Sequence, residues 1–308
     1  MNRPLVSIVT PSFNQGQFIE DCIVSVKNQT YKDMEHIIVD GGSRDKTLNI
    51  IKRHEGTYNM QWISETDRGM YFAINKGMAM TKGEIIAYLN CDDLYFPWSV
   101  GVAVKNLFSK NSPDMIYGDL LNLKLYKVQK RSTLKFYPKF NPYYYKTVGI
   151  IGQPAVFWKR KAFKECGFFN TNYKLIADCD YWLRANQKGL KIKKIEEFLA
   201  IERDHEGMQR EAKKEILKEE MDKLRSVYGT KNSWICLFLK MYGKLNYRFY
   251  LLKFLLTNLG WPYFRQSPFL KGKFRSILFE ILPRGFKQYN YFITEAEVLN
   301  LIERNNKK

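Results

Sequence analysis

Acidic residues are what this 308-residue chain is short of: 31 Asp and Glu stand against 50 Lys and Arg, a formal net charge of +19. The shortage is local. Between residues 120 and 164 eleven basic residues meet no acid, and between 223 and 290 thirteen meet only Glu280. Such fields attract anionic partners: nucleic acid, a phosphorylated substrate or an anionic membrane surface. Cysteine is scarce too. Cys22, Cys91, Cys166, Cys179 and Cys236 are scattered, odd in number and form no C-x-x-C pair, which favours a reducing compartment and argues against structural zinc. Long apolar runs are missing. The most apolar stretch, 233–260, is broken by Lys240, Lys244, Arg248 and Lys253, whereas a spanning helix needs about 20 residues nearly without charge. The N-terminus enters a strand directly and carries no signal-peptide pattern, so the expected location is cytoplasmic. Neither G-x-x-x-x-G-K-[ST] nor a G-x-G-x-x-G after the first strand occurs, so a nucleotide would have to meet carboxylates and a cation.

What is present is an alternation. Apolar runs at 5–10, 36–40, 60–64 and 84–89 read as strands, with helical patterns at 17–28, 45–54 and 70–80 between them. Short connections between them predict a parallel, doubly wound α/β sheet. Beyond residue 93 the rhythm loosens. Helices are expected over 97–108, 178–188 and 209–228, strands over 114–117 and 155–158, and irregular hairpin-like material over 120–137. The length allows a full α/β domain over 1–205 and a basic, aromatic, mainly helical region over 206–308. There Lys240, Lys244 and Arg248 recur every four residues, with Trp234, Leu237, Phe238 and Met241 largely elsewhere, as in a helix lying in a membrane interface. No recognition motif for nucleic acid accompanies the charge.

The loops after the strands carry the chemistry. Pro11-Ser12-Phe13-Asn14 follows the first, Asp40-Gly41-Gly42-Ser43-Arg44-Asp45 the second and Ser64-Glu65-Thr66-Asp67-Arg68-Gly69 the third. The fourth strand stops on Asn90-Cys91-Asp92-Asp93. Taken singly, Asp92-Asp93 suits a polar β-turn as well as a cation site, and Asp45 or Ser43 suits a helix N-cap. Open α/β sheets bind ligands at the C-terminal ends of their strands. Together the four loops therefore predict a crevice suited to a nucleotide with a divalent cation.

In this order the loops, with Ala73-Ile74-Asn75-Lys76-Gly77, then Gly152-Gln153-Pro154-Ala155-Val156-Phe157 and Ala177-Asp178-Cys179-Asp180-Tyr181-Trp182-Leu183-Arg184, resemble family 2 glycosyltransferases. The resemblance covers about the first 205 residues. It implies the GT-A fold, a Rossmann-like mixed sheet flanked by helices. It also implies inverting transfer of a sugar from a nucleotide-diphospho sugar, UDP-sugars favoured, to a hydroxyl of a glycan or lipid-linked acceptor, as in bacterial surface polysaccharide assembly. Phe13 would then stack on the base, with Pro11, Ser12 and Asn14 at its rim. Asp40 would accept a base hydrogen, beside Gly41 and Ser43. Asp67 and Arg68 would meet ribose and diphosphate, with Asn75 and Lys76 nearby. Asn90-Cys91-Asp92 stands where the family has D-x-D, with Asp92 the foremost ligand of Mg²⁺ or Mn²⁺, Asp93 assisting and His205 an additional contact. Asp178 or Asp180 would be the base, and Gln153 and Trp182 would face the acceptor. Two rival readings are a sugar-nucleotidyltransferase, which would need a Gly-rich basic loop after the first strand, and a non-catalytic basic membrane or nucleic-acid adaptor.

Overall fold

The structure is a computed structural model that describes residues 3–126, 129–142, 145, 151–205 and 214–229, with single helical positions between 234 and 249. Four strands, β1 (Val6–Ser12), β2 (Met34–Asp40), β3 (Met60–Ser64) and β4 (Ile85–Tyr88), pair in parallel in the order β3-β2-β1-β4. β1, β2 and β4 are buried along their whole length, which is why apolar residues dominate them, with Ser7, Thr10, Glu35 and His36 buried among these. The intervening helices are α1 (Ile19–Lys27), α2 (Thr47–His54) and α3 (Met70–Met80). α1 buries Ile19, Cys22, Ile23 and Val26, positions three and four apart that share one face. α3 sits tight on the sheet because of Gly77: a Cβ there would lie 2.4 Å from Val9 Cγ1.

Past β4 the sheet becomes mixed. The elements are β5 (Leu94–Tyr95), α4 (Ser99–Leu107), β6 (Met115–Tyr126), β7 (Gln129–Lys135), β8 (Val156–Lys159), α5 (Arg160–Cys166), α6 (Ala177–Gln187), β9 (Ile192–Asp204) and α7 (Lys214–Tyr228). The sheet continues from β4 through β8, β6 and β9 to β5, with β7 hydrogen-bonded to β6. β8 is antiparallel to both β4 and β6, so β6 and its parallel neighbour β9 run in the direction of β4. The C-terminal end of β9 therefore reaches the same edge as the ends of β1 to β4.

The doubly wound expectation thus holds for the first half and gives way to a mixed sheet in the second. The hairpin-like material expected over 120–137 is a hairpin, but a regular one, paired antiparallel from Leu120↔Lys135 through Tyr126↔Gln129. The strand expected over 114–117 runs on to residue 126, past a register shift beside Gly118, where a Cβ would lie 2.5 Å from the Glu197 carbonyl. α7, expected within the C-terminal region, buries Leu224 in the same core as the sheet. Most of that region, 206–213 and 250–308, lies outside the described residues. Among the described residues no helix is long and apolar enough to cross a membrane.

Candidate active site

At the shared sheet edge a cavity of about 390 Å³ opens. Its first wall is the loop after β1. The Asn14 amide donates to Ser43 Oγ at 2.7 Å, Gln15 N–H to Thr47 Oγ1 at 2.9 Å and Gly16 N–H to Asp45 Oδ2 at 2.9 Å. Asn14 Oδ1 accepts from the Arg44 amide at 2.9 Å, and Asn14 itself takes the left-handed φ of 51° that asparagine tolerates. Burial opposes the Asp45 charge, yet hydrogen bonds from Thr47 and Gly16 outweigh it and hold the carboxyl below its ordinary range. This stitched loop leaves Phe13 lining the cavity and 58% exposed. A large aromatic ring held in water by a rigid loop is a stacking surface.

Asp40 behaves otherwise than the resemblance implies. Its carboxylate is fully buried and accepts four hydrogen bonds, from the amides of Gly42 (3.0 Å) and Ser43 (2.8 Å) and the hydroxyls of Ser43 (2.5 Å) and Ser64 (2.7 Å). A carboxylate has about four lone-pair sites. Asp40 is therefore the organiser of its loop, with three of these bonds on Oδ2 and one on Oδ1, and it lies behind the cavity lining. Gly41 does line the cavity, and a Cβ on it would meet Asp67 Oδ2 at 2.9 Å, so the glycine makes room for that carboxylate on the same wall.

The floor is the turn after β4. Asp93 N–H donates to the Asn90 carbonyl at 3.0 Å, closing a β-turn over Asn90 to Asp93. The polar turn and the candidate cation site thus share the same residues. Asp92 Oδ2 lies 3.2 Å from His205 Nε2, and both residues line the cavity. An oxygen and a nitrogen donor at this separation fit Mg²⁺ or Mn²⁺. Among the described residues no cluster of three or more His, Cys, Asp or Glu could hold a metal alone, so a ligand's oxygens and water would have to complete the shell. Asp93 also lines the cavity but turns Oδ1 to the Arg203 amide at 3.2 Å. Asn90 donates to Gln153 Oε1 at 3.3 Å, and Gln153 in turn to the Tyr88 carbonyl at 2.8 Å. The Asn90 Oδ1 atom, buried in the same place, has no partner among the described residues. A buried orphan acceptor in a polar cavity calls for a ligand's hydroxyl or water. Cys91 donates to the Pro11 carbonyl at 3.0 Å, and burial pushes its thiol well above the ordinary range, so it ties two loops together as a neutral group.

The two candidate bases part company. Asp178, in the first turn of α6, lines the cavity and accepts from Tyr71 Oη at 3.3 Å. Asp180 is outside it, held by Arg184 Nε at 2.8 Å and Tyr228 Oη at 2.8 Å. Trp182, expected toward the acceptor, is fully buried against Trp158, Phe169 and Tyr181 and lies outside the cavity lining. Five further expected residues also fall outside the cavity lining. Ser43 and Asn14 serve the loop stitching, and Asn75 braces α3 to the Phe169 backbone through bonds of 2.9 and 2.8 Å. Lys76 is paired with Glu65, while Arg68 is exposed beyond the lining. Sequence reasoning missed Tyr71, Leu175 and Arg203. Tyr71 could have been found from its place in the first turn of α3, directly after the Asp67 loop.

With this geometry in view, comparison with known proteins is decisive. The model of glycosyl transferase family 2 matches residues 7–167, just over half of the chain. The chain belongs to glycosyl transferase family 2. A PGL/p-HBAD biosynthesis glycosyltransferase of Mycobacterium tuberculosis is 28% identical over 187 residues, 60% of this chain and 70% of the relative. Chondroitin synthase of Escherichia coli is 37% identical over 98 residues, 32% of this chain and 14% of that one. Among solved structures, S. aureus TarS in complex with UDP-GlcNAc superposes with a TM-score of 0.58 at 13% identity, covering 90% of this chain and 80% of that one. Another TarS structure is spanned to about half its length, 49%. A mannosyltransferase from Pyrobaculum calidifontis, in complex with GDP-Man and Mn²⁺, gives 0.57 at 16% identity over 92% and 89% of the two chains. The fold of this glycosyltransferase is GT-A, and the nucleotidyltransferase and non-catalytic readings fall away.

Proposed function

We propose that this family 2 glycosyltransferase transfers a sugar from a nucleotide-diphospho sugar to an acceptor hydroxyl with inversion, using Asp178 as the base. The observation that carries the reading is the meeting of Phe13, the Asn90 orphan oxygen, the Asp92–His205 pair and Asp178 around one cavity. Phe13 would stack on the base, and Gly41 and Asp67 would border the nucleoside. A divalent cation, held by Asp92 and His205, would supply positive charge beside the departing diphosphate. The acceptor oxygen attacks C1 of the sugar as the bond from C1 to the diphosphate oxygen breaks. Asp178 takes the hydroxyl proton, and the diphosphate leaves with the bonding electrons. One displacement inverts the anomeric centre. The first turn of α6 favours the ionised carboxylate a base needs. Support for a nucleotide-sugar donor comes from the bound UDP-GlcNAc and GDP-Man of the two solved neighbours, and support for the cation from Mn²⁺ in one of them.

Calorimetry with UDP and with GDP, with and without Mn²⁺, tests this on the wild type and on Asp92→Ala. Mn²⁺-dependent binding of one nucleotide that Asp92→Ala loses is expected; binding indifferent to Mn²⁺ would count against the cation.

We further infer that the acceptor is met at an anionic membrane surface. Trp234, Phe238, Met241, Leu245 and Phe249 occupy helical positions four, three, four and four apart, and Trp234 is 80% and Phe238 67% exposed. That spacing puts them on one face, and the same stretch of sequence carries Lys240, Lys244 and Arg248. A lipid-linked acceptor would be presented there.

A further inference from the structure

Arg203 stands behind the cavity and not in its lining. It is 4% exposed, and a buried guanidinium is costly unless its N–H groups are bonded. Nε donates to the Asp92 carbonyl, and Nη2 donates to the carbonyls of Cys91 at 3.2 Å and Phe18 at 3.1 Å. Nη1 donates to Asp21 Oδ2 at 2.6 Å. The guanidinium lies 4.9 Å from the centre of the Phe18 ring, and that ring is 4.4 Å from the His205 ring.

We propose that Arg203 is a positioning residue that sets Asp92 and His205 at the separation a divalent cation requires. The inference rests on the reading of those two side chains as the cation's protein ligands. The carbonyls of residues 91 and 92 belong to the two peptide planes that flank the Asp92 Cα. Holding both planes fixes the φ and ψ of Asp92, and with them the direction of its Cα–Cβ bond. The same arginine carries the Phe18 ring that packs on His205, and it precedes His205 by two residues at the end of β9. One side chain thus governs two donors that lie 113 residues apart in sequence. Only a planar fork with several fixed N–H directions can do this. Lysine offers a point charge on a flexible stem and cannot reach the three carbonyls and the Asp21 carboxylate together.

The test is Mn²⁺ binding in the presence of UDP or GDP, followed by the electron paramagnetic resonance of free Mn²⁺ and by calorimetry, on wild type, Arg203→Lys, Asp21→Asn and Phe18→Leu. For Arg203→Lys the expected result is Mn²⁺ affinity weakened on the order of tenfold or more, as when other outer-shell partners are lost. Nucleotide affinity without metal should stay within about twofold of wild type, which a general loss of structure would not allow. Asp21→Asn and Phe18→Leu each remove one contact of the clamp and should give smaller losses of the same kind, so the proposal remains testable if Arg203→Lys does not fold. Unchanged Mn²⁺ affinity in folded Arg203→Lys, or in both milder variants, would overturn it. Equal losses with and without metal would overturn it as well. A wild type that binds nucleotide without regard to Mn²⁺ would instead overturn the underlying cation reading.

Discussion

Asp178 and Asp180 sit two residues apart in α6 yet face different surroundings, and their substitution should separate chemistry from architecture. Asp178→Asn should lower kcat by about 10²- to 10⁴-fold with donor KM little changed, because a base acts on the transition state and not on donor binding. Asp180→Ala removes the acceptor of Arg184 and Tyr228 and should cost about 1–3 kcal/mol of stability while leaving a properly folded fraction active. Steady-state kinetics beside denaturant melts would show the split, and equal kcat losses in the two variants would refute it. The sequence brought these two carboxylates into view but could not choose between them. Their surroundings come from Tyr71 and Tyr228, 107 residues before the one and 48 after the other, and no local pattern reports such distances. Asp40 has the same lesson: its residue type fits a base contact, and only the structure reveals the four loop donors around it and its place behind the cavity lining.

At the scale of elements, α3 on β1 shows how one missing methyl sets a spacing. Gly77→Ala would gain about 1 kcal/mol in helix propensity, since glycine is the poorer helix former. It would also force a Cβ to 2.4 Å from Val9 Cγ1 in a packed core, and such overpacking costs about 1–3 kcal/mol. The overpacking should win by about 1 kcal/mol, seen as a lower melting temperature; a stabilised variant would mean α3 can lift off without penalty. The parallel half of the sheet was legible because each buried strand is a short apolar run followed by turn residues. β9 was among the strands not placed. Its Ile192-Lys193-Lys194-Ile195-Glu196-Glu197 stretch breaks the two-residue alternation where the register shifts beside Gly118, so the pattern that marks a strand is lost over its first half. The contribution of α7 was hidden for another reason. Glu220 accepts the amides of Lys174 (2.5 Å) and Leu175 (3.0 Å), in the loop that leads to Asp178, and a glutamate in a charged helix gives no sign of that.

For the molecule as a whole, acid should be a selective stress. His36 is fully buried between Thr10 Oγ1 (2.8 Å) and Tyr58 Oη (2.6 Å), and burial pushes its pKa from 6.5 to about 3. The unfolded chain therefore takes a proton below pH 6.5 that the folded protein refuses until about pH 3, so stability is lost as pH falls through that window. Between pH 7 and pH 5 the wild type should lose about 2 kcal/mol more than His36→Gln in paired denaturant titrations. Parallel curves would discard the assignment. Burial raises the Asp119 carboxyl to about 6 and acts with the opposite sign, but equally in both proteins, so the difference isolates His36. The basic surplus makes a second global prediction. Sedimentation with vesicles containing anionic lipid should weaken steeply with salt and further in Phe238→Glu; indifference to both would remove the membrane from the proposal. The clamp of Arg203 also has a consequence for the order of synthesis. The turn that carries Asp92 is complete once the ribosome has passed residue 93, but the side chain that orients it arrives 110 residues later. A nascent chain reaching only to residue 167, where the family match ends, would hold the loops proposed to border a nucleoside while lacking the proposed base Asp178, the proposed cation ligand His205 and the arginine behind them. Nucleotide contact and catalytic competence would then be acquired at separate moments of translation, with residue 205 as the point of arming.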